Sequence, residues 1–254
     1  MTTVGLAVAW RLLYKAFTLP AFLLPSLLFP LIFFIGFAGA LGRVDEVPGF
    51  EYAAGYTAFQ FAFVLLQSAA MGGVFTGFNI AHDFDRGFAR RLMIAAPRRS
   101  GIILGVALTT MVRWGFNIGV VFVVALLMGM DVLGGPVDLL GLLVLGLLVS
   151  VVGTLWAAGV ALRLRSPQAA PIMQLPVFLL LFLAPVFVPL DLLQGWIHAV
   201  ATVNPFTALL EASRSLLAGG SSGVAAAFGL SAGLVALFAL WALRGLRSAE
   251  AAGS

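Results

Sequence analysis

The sequence contains no cysteine and only two histidines, His82 and His198, which lie far apart along the chain. Disulfide bonds and thiolate metal sites are therefore excluded, a histidine metal site has little support, and we predict no bound metal. Lysine is nearly absent as well, because Lys15 is the only one among 254 residues. No G-x-x-x-x-G-K-[ST] motif is present, so the chain lacks the loop that cradles ATP phosphates in Walker-type ATPases.

Charge is also scarce: charged residues make up 9% of the chain, whereas hydrophobic residues make up 62%. A soluble domain usually carries roughly 25% charged residues. The mean hydropathy of +1.11 and the clustering of the charges are typical of a polytopic membrane protein. The net charge of +4 comes from arginines beside apolar stretches, which predicts contact with membrane lipids and no nucleic-acid partner.

Six apolar stretches are long enough for membrane spans and predict an all-α polytopic fold. In the second span Gly72, Gly73 and Gly77 favour close packing against another helix. Arg113 lies partway along the third span, where it faces the protein interior or reaches the inner lipid headgroups. The spans cover about 19–41, 55–78, a stretch starting near 103, 139–162, 170–190 and 224–243.

Residues 2–17 precede the first span and form an amphipathic pattern. This pattern predicts an interfacial helix on the cytoplasmic leaflet, and an extension of the first span is the alternative. One face of this helix would carry Leu6, Trp10, Leu13 and Phe17, and another would carry Arg11 and Lys15.

Residues 191–222 are too polar to span a membrane and too apolar to float in water. We expect short helices that lie on or dip into the outer side of the membrane. Asn204 followed by Pro205 predicts a helix start. Glu211 and Arg214 are three residues apart and can pair on one helical face. That pair is either an ordinary surface ion pair or a contact that shapes or gates this segment.

Residues 80–100 form a polar island with two aspartates and five arginines between apolar stretches. A helix over 81–97 would place Phe84, Phe88 and Leu92 on one face. Such a helix either docks onto a partner or lies on the inner leaflet with its arginines on lipid phosphates.

The charges predict the orientation, because positively charged loops stay in the cytoplasm. Six spans place both termini on the side of the polar island, so we expect a multi-pass protein of the inner (plasma) membrane with cytoplasmic termini. That side would carry Arg11, Lys15, Arg86, Arg90, Arg91, Arg98, Arg99, Arg163, Arg165, Arg244 and Arg247. The outer side would carry Asp45, Glu46, Glu51, Asp131, Asp138 and Asp191, with only Arg43 and Arg214 as positive charges.

Two stretches resemble the permease subunits of type-2 ABC exporters, a family that moves drugs, polysaccharides and lipids. DRGFARRLMIAAPRRSGIILG at 85–105 is similar to the family's acidic residue, glycine, leucines, proline and basic residue before the next span. NPFTALLEASRSLL at 204–217 resembles the late Asn-Pro signature with an acidic residue three before an arginine. The layout is similar over nearly the whole chain, which implies one permease domain over 1–254, a coupling helix at 81–97 and an outer re-entrant segment at 191–222.

The resemblance implies a transport subunit rather than an enzyme, driven by an ABC-type ATPase on another chain. ATP and Mg²⁺ would bind to that partner, and a second permease copy or a sister permease would complete the path. Cargo such as a lipophilic drug, lipid or glycan would leave the cytoplasm by alternating access. In this sequence Asp83 or Asp85 stands where the family more usually has glutamate, and Phe88 follows Gly87 where a small polar residue is frequent. The residues implied in coupling are Asp83, Phe84, Asp85, Arg86, Gly87, Phe88, Arg90, Arg91 and Leu92.

Two other functions remain open from the residues alone. An ATP-independent secondary transporter or channel would need ionisable groups in mid-membrane, where only Arg113 qualifies. A membrane enzyme would need a polar cluster, for which His82, Asp83 and Asp85 are the only candidates. The remaining polar residues either line a transport path or make packing hydrogen bonds between helices; they are Gln67, Asn79, Arg113 and Asn117.

Overall fold

Nine α-helices run through the residues that the computed structural model describes, which are 2–18, 20–87 and 100–251. All regular secondary structure in these ranges is helical, including short 3₁₀ turns at Gly42–Glu46, Pro167–Ala169 and Leu190–Leu192, and this confirms the predicted all-α fold. The helices are α1 Thr2–Thr18, α2 Pro20–Ala40, α3 Gly55–Asp85, α4 Ser100–Leu127, α5 Pro136–Leu164, α6 Ala170–Phe182, α7 Gly195–Val203, α8 Pro205–Leu217 and α9 Val224–Ala251.

Four helices of the described chain are long and apolar enough to cross a membrane: α3, α4, α5 and α9. They correspond to the second, third, fourth and sixth predicted spans. Two shorter apolar stretches, Ser26–Ala40 and Pro167–Phe182, lie in the predicted first and fifth spans.

The fifth predicted span differs most from the structure. We expected it to run over about 170–190, whereas α6 ends at Phe182 after 13 residues. Pro185 and Pro189 follow, and each lacks the N–H that a continuing helix needs and disfavours helical conformation in the residue before it. A helix of 13 residues measures about 20 Å, which is shorter than the hydrocarbon core of a bilayer.

Helix α3, the second predicted span, forms the centre of the bundle, and 22 of its 31 residues are buried. It packs directly against the backbone of α5. A side chain on Gly73 would meet the backbone of Gly153 and Thr154, and one on Gly77 would lie 2.5 Å from Ala157 Cβ. The contacts advance in the same direction along both chains, so α3 and α5 run parallel. The predicted close approach at these two glycines is confirmed.

Helix α9 packs parallel to α5 through a pair of stacked indoles. The rings of Trp156 and Trp241 lie 5.9 Å apart at 13°, and Trp241 Nε1 donates to the Trp156 carbonyl at 3.2 Å. Gly159 leaves room for the Trp241 ring. The guanidinium carbon of Arg163 lies 3.5 Å from the centroid of the Trp241 ring, and Arg163 Nη2 donates to the Trp241 carbonyl at 3.0 Å. These contacts join α5 and α9 near their C-terminal ends.

Helix α4 runs in the opposite direction to α3. The hydroxyls of Thr110 and Thr76 are 2.9 Å apart, whereas Trp114 Nε1, further along α4, donates to the earlier Ser68 at 3.1 Å. Helix α4 is therefore antiparallel to both α3 and α5, which is the relative direction that consecutive membrane spans require.

The bundle has two ends, which we name by residues. At the Asp83 end, Asp83 of α3 lies near the start of α4 and the final turns of α5 and α9, where Ile102, Leu162 and Leu246 share one cavity with it. At the Arg214 end, Tyr52 donates to the Arg214 carbonyl at 2.8 Å, and the Leu133 N–H donates to the Leu217 carbonyl at 3.1 Å.

Helix α1 packs along the first half of α4. A side chain on Gly105 would lie 2.5 Å from the Gly5 carbonyl oxygen, so only glycine permits this approach. The outward face of α1 is apolar, with Leu6 at 62%, Trp10 at 73% and Tyr14 at 64% exposure. A helix that turns large apolar side chains outward requires an apolar surrounding. The predicted location at the cytoplasmic leaflet remains a prediction.

Candidate functional site

The polar island begins as the end of α3 rather than as a separate helix. Asp83, Phe84 and Asp85 lie in the last turn of α3, so the first residues of the predicted 81–97 helix belong to α3. Its residues from 88 onward lie outside the described residues, and the coupling helix remains a prediction. The helix continues because no helix-breaking residue occurs before Gly87, whose φ is +70°. The Gly87 N–H donates to the Phe84 carbonyl at 2.9 Å and closes the last turn. A left-handed residue at this position ends helices, and glycine adopts it without strain.

Four of the residues implied in coupling lie outside the described residues: Phe88, Arg90, Arg91 and Leu92. Among the described ones, Asp85 and Arg86 are exposed, whereas Phe84 is buried at 6% exposure. Phe84 belongs to an apolar cluster with Leu162 and Leu246. It therefore connects the end of α3 to α5 and α9, and its ring is not available as an exposed docking anchor.

Asp83 connects α3 to α1. Its Oδ2 accepts a hydrogen bond from Arg11 Nη1 at 3.4 Å, with 40% and 17% side-chain exposure for Arg11 and Asp83, respectively. The charged face predicted for α1 therefore points to the bundle. A displacement of the last turn of α3 would be transmitted to α1 through this pair.

A cavity of about 70 Å³ opens at the Asp83 end between α1, α3, α4, α5 and α9. Its walls are mostly apolar, and its polar groups come from several helices. Arg113 and Asn79, two of the residues singled out in the sequence, both line it. The polar and charged lining residues are Arg11, Lys15, Thr76, Asn79, Asp83, Thr109, Arg113 and Thr154.

Arg113 is 4% exposed and faces the protein interior, so the first of its two predicted environments is found. Its Nη2 donates to the Gly72 carbonyl at 2.5 Å and to Thr76 Oγ1 at 2.9 Å. Gly72 therefore provides the carbonyl oxygen that accepts this hydrogen bond. Within the described residues Arg113 makes no ion pair, and its Nε and Nη1 make no hydrogen bond.

Asn79 makes a hydrogen bond within α3, whereas Asn117 connects two helices. Asn79 Nδ2 donates to the Phe75 carbonyl one turn earlier, at 3.1 Å. Asn117 Nδ2 donates to the Ser26 carbonyl at 3.1 Å and connects α4 to α2. For Asn117 the structure therefore shows a packing contact between helices, one of the two alternatives that its sequence position left open.

Gln67 lies at the centre of α3 with no exposed surface. Neither its Oε1 nor its Nε2 has a hydrogen-bond partner among the described residues, and the same holds for Gln60 two turns earlier. Buried amides without partners are costly in an apolar environment. The Tyr56 hydroxyl near the start of the same helix is also buried without a hydrogen-bond partner among the described residues.

The Arg214 end contains the predicted ion pair. Arg214 Nη1 donates to Glu211 Oε1 at 2.7 Å, and the side chains are 2% and 45% exposed, respectively. Its guanidinium carbon lies 3.3 Å from the centroid of the Phe59 ring in α3. Its Nη2 donates to the Val186 carbonyl at 3.3 Å. Arg214 therefore joins α8, α3 and the segment after α6, and the pair is not an ordinary surface contact.

Tyr52 completes this cluster from the loop before α3. Its hydroxyl donates to the Arg214 carbonyl at 2.8 Å. Burial raises the pKa of Tyr52 above its ordinary value, in spite of the opposing effect of Arg214, so the hydroxyl keeps the proton that it donates. Sequence reasoning missed Tyr52, Phe59 and Val186, because none of them lies near Arg214 in the chain.

The start of α8 follows the predicted capping chemistry. Asn204 Oδ1 accepts a hydrogen bond from the Phe206 N–H at 2.9 Å, with Pro205 in the first helical turn. Asn204 Nδ2 also donates to the Leu180 carbonyl of α6 at 2.7 Å. The Asn-Pro pair thus starts α8 and attaches it to α6. The helix ends before Gly219, whose φ is +77°.

Comparison with known proteins gives two matches. The family described as "ABC-2 type transporter" matches residues 3–218. The "Daunorubicin resistance ABC transporter permease protein DrrB1" of Streptomyces coeruleorubidus is 26% identical to this chain over 245 residues, which are 95% of this chain and 85% of that protein. Both matches include the end of α3 and the α8 segment.

Proposed function

The chain belongs to the ABC-2 type transporter family as a membrane permease subunit, and from this premise we propose that it exports a lipophilic cargo from the cytoplasm. In this proposal an ABC-type ATPase on a separate chain binds ATP and Mg²⁺ and supplies the energy. A second permease copy or a sister permease forms the other half of the path. A drug-type cargo is favoured by the similarity to a daunorubicin resistance permease, and lipids or glycans are the other classes.

The proposed orientation has six spans, the Asp83 end in the cytoplasm and an outer re-entrant segment formed by α7 and α8. The charges support it, because basic residues concentrate at the Asp83 end and acidic residues at the Arg214 end. At the Asp83 end lie Arg11, Lys15, Arg86, Arg163, Arg165, Arg244 and Arg247. At the other end lie Asp45, Glu46, Glu51, Asp131, Asp138 and Asp191, together with Arg43.

The observation that carries the proposed mechanism is the continuity of α3. This helix runs for 31 residues, about 46 Å, from the first turn at Gly55 to the exposed Asp85. Near one end Phe59 lies against Arg214, and at the other end the helix reaches the exposed Asp85, where the polar island begins. A displacement applied to the island by the ATPase would therefore reach the Arg214 end through one rigid helix.

The partners of α3 determine what moves with it. Helix α5 contacts its backbone at Gly73 and Gly77, so these two helices move as one body. Helix α9 follows α5 through the stacked Trp156 and Trp241 rings. We propose that this unit of three parallel helices rotates against the α1–α4 pair when the ATPase closes, and that this changes the side to which the path opens.

Reconstitution tests the proposed function against an ATP-independent transporter or channel. The chain is placed in proteoliposomes with a fluorescent lipophilic cargo, with or without its ATPase partner. We expect cargo movement only when the ATPase and Mg-ATP are both present. Movement driven by a proton or sodium gradient without the ATPase would contradict the proposal and favour the secondary transporter.

Gly87→Pro is expected to abolish most of the stimulation of ATPase activity by cargo while leaving the bundle folded. Proline fixes φ near −65°, which is incompatible with the φ of +70° at Gly87, so the polar island would leave α3 in another direction. The measurement is ATP hydrolysis with and without cargo in the reconstituted complex.

Gly129→Pro is the matched control for this variant. Gly129 also has a positive φ of +83°, and its N–H donates to the Leu126 carbonyl at 3.1 Å, as the Gly87 N–H donates to Phe84. It lies in the loop after α4, toward the opposite end of the bundle, so the backbone perturbation is similar and the location differs. Equal loss of stimulation in the two variants would contradict a special role for the end of α3.

A further inference from the structure

A cavity of about 180 Å³ lies between α3, α5, α6, α8 and α9, away from the Asp83 end. None of the described residues that line it is charged, and Ser231 is the only one of them with a hydroxyl group. A charged molecule would lose its hydration there without gaining a partner, which is costly. The composition of the walls therefore favours a neutral, mostly apolar ligand.

Three aromatic side chains form part of the walls: Trp156, Phe206 and Phe238. The rings of Trp156 and Phe238 lie 5.7 Å apart in an edge-to-face arrangement. Trp156 is fixed in place, because its Nε1 donates to the Met173 carbonyl of α6 at 3.0 Å and its ring stacks on Trp241. Aromatic rings interact with one another beyond the effect of buried area, so rigid aromatic walls favour an aromatic ligand.

Ser231 adds a polar requirement to this site. It lies in α9 with no exposed surface, and its Oγ has no hydrogen-bond partner among the described residues. A buried hydroxyl without a partner is costly, and a serine hydroxyl can both donate and accept. A carbonyl or hydroxyl group on the ligand would supply the partner, whereas a saturated acyl chain would not.

The cavity is partly open on the side of α6 and α9. Two of its lining residues in α6, Pro176 and Leu180, are exposed, and Leu234 of α9 is half-buried. Direct packing between α6 and α9 is slight. Both helices are apolar, so this opening faces the hydrocarbon of a surrounding membrane, and a molecule dissolved there can enter from the side.

The size of the cavity limits what it encloses. An engineered apolar cavity of about 150 Å³ binds benzene, so 180 Å³ accommodates one aromatic ring with a small substituent. Pockets that enclose a whole drug-sized ligand measure roughly 300–1,000 Å³. A larger cargo would therefore insert one ring, and its remainder would stay in the opening between α6 and α9.

We propose that this cavity binds an aromatic ring of a neutral cargo that carries a carbonyl or hydroxyl group. Ser231 is the hydrogen-bond partner, and Trp156, Phe206 and Phe238 contact the ring. The proposal rests on the export function, because it names the class of cargo. The cavity also lies between α5 and α9 of the proposed moving unit and α6 and α8 beside it, so the proposed rotation would change its shape and release the ring.

Photolabelling of the purified full chain in detergent micelles tests the site. The probe is para-azidoacetophenone, a single ring with a ketone, and mass spectrometry of peptides locates the label after illumination. We expect labelling of the α6 and α9 residues that line the cavity, and competition by unlabelled acetophenone.

Ser231→Ala isolates the hydrogen bond. Acetophenone and ethylbenzene, which has a similar shape but no acceptor, each compete with the probe in the wild type and the variant. The affinity for acetophenone relative to ethylbenzene should fall about fivefold in Ser231→Ala, as expected for the loss of one neutral hydrogen bond. Partitioning into micelles cancels in this comparison, because it is the same for both proteins. The variant should fold, since it removes a hydroxyl that has no partner among the described residues.

Leu234→Trp and Leu237→Trp form a matched pair in α9. Leu234 lines the cavity, so a larger side chain there should fill it and remove most of the labelling. Leu237 is 57% exposed and does not line the cavity, so the same substitution there should leave the labelling unchanged. If Leu234→Trp does not fold, Ser231→Ala decides.

Three results would overturn the proposal. The first is labelling that acetophenone does not reduce, or that spreads evenly over the outward faces of the helices. The second is an unchanged relative affinity in Ser231→Ala, or equal loss of labelling in the two tryptophan variants. The third is displacement of the probe by dodecane as effective as that by acetophenone, which would assign the cavity to a lipid acyl chain. Labelling requires neither ATPase nor transport, so absent labelling with intact ATP-driven export would overturn this site alone.

Discussion

Glu211→Leu is expected to lower the free energy of unfolding by about 3 kcal/mol, because it leaves a buried guanidinium without its counter-ion. Arg214 is 2% exposed, and its shortest hydrogen bond is the one to Glu211 at 2.7 Å. After the substitution the guanidinium would keep its hydrogen bond to the Val186 carbonyl and its contact with the Phe59 ring, neither of which carries a charge. The free energies of unfolding of the wild type and the variant are compared by unfolding both proteins in mixed micelles with increasing amounts of a denaturing detergent.

The double variant Glu211→Leu/Arg214→Met is the informative companion. Replacement of a buried ion pair by apolar residues of similar size is often neutral or stabilising, whereas removal of one partner is costly. We therefore expect the double variant to recover most of the stability that Glu211→Leu loses. If the single variant were as stable as the wild type, or if the double variant were the less stable of the two, the account of this pair would be wrong.

Gly73→Val is expected to be destabilising by about 3 kcal/mol, at the upper end of what overpacking usually costs. A Cβ at this position would lie 2.8 Å from the Gly153 Cα and closer still to the Gly153 carbonyl carbon and the Thr154 nitrogen. These are backbone atoms and cannot move to another rotamer, so α3 and α5 would have to separate. The fraction of monodisperse protein that survives heating measures the effect.

Gly229→Ala serves as the control for the glycine prediction. It lies in α9, where an added Cβ would have nothing within 4 Å, and alanine has the higher helix propensity. We expect its thermal stability to equal or exceed that of the wild type. An equal loss in the two variants would show that the close approach of α3 and α5 is not what makes Gly73 sensitive.

Features that depend on neighbours in the chain were predictable from the sequence. The Asn204 cap, the Pro205 start and the pairing of Glu211 with Arg214 all follow from spacing within one helix. The apolar segments were also predictable, because crossing a bilayer needs a minimum length of apolar helix. These signals are local, and their physical causes act within a few residues.

Features that depend on distant partners were not predictable. Nothing near Arg113 indicates that the Gly72 carbonyl and Thr76, about forty residues earlier, would accept its hydrogen bonds. The glycines at 73 and 77 predicted a close contact, but their partner helix could not be identified from one sequence. The sequence also did not reveal that α3 would include the first residues of the polar island, because charged residues can begin a new helix or occupy the last turn of a long one.

The central claim is that the end of α3 faces the cytoplasm and receives the motion of the ATPase. Since the chain has no cysteine, Asp85→Cys and Val47→Cys each introduce a single thiol at an exposed position, one at each end of the bundle. A membrane-impermeant thiol reagent is applied to either side of membrane vesicles, with and without the ATPase partner. The account predicts that Asp85→Cys reacts only from the cytoplasmic side and is protected by the ATPase, while Val47→Cys reacts only from outside. Reaction of Asp85→Cys from outside, or the same rate with and without the ATPase, would contradict it.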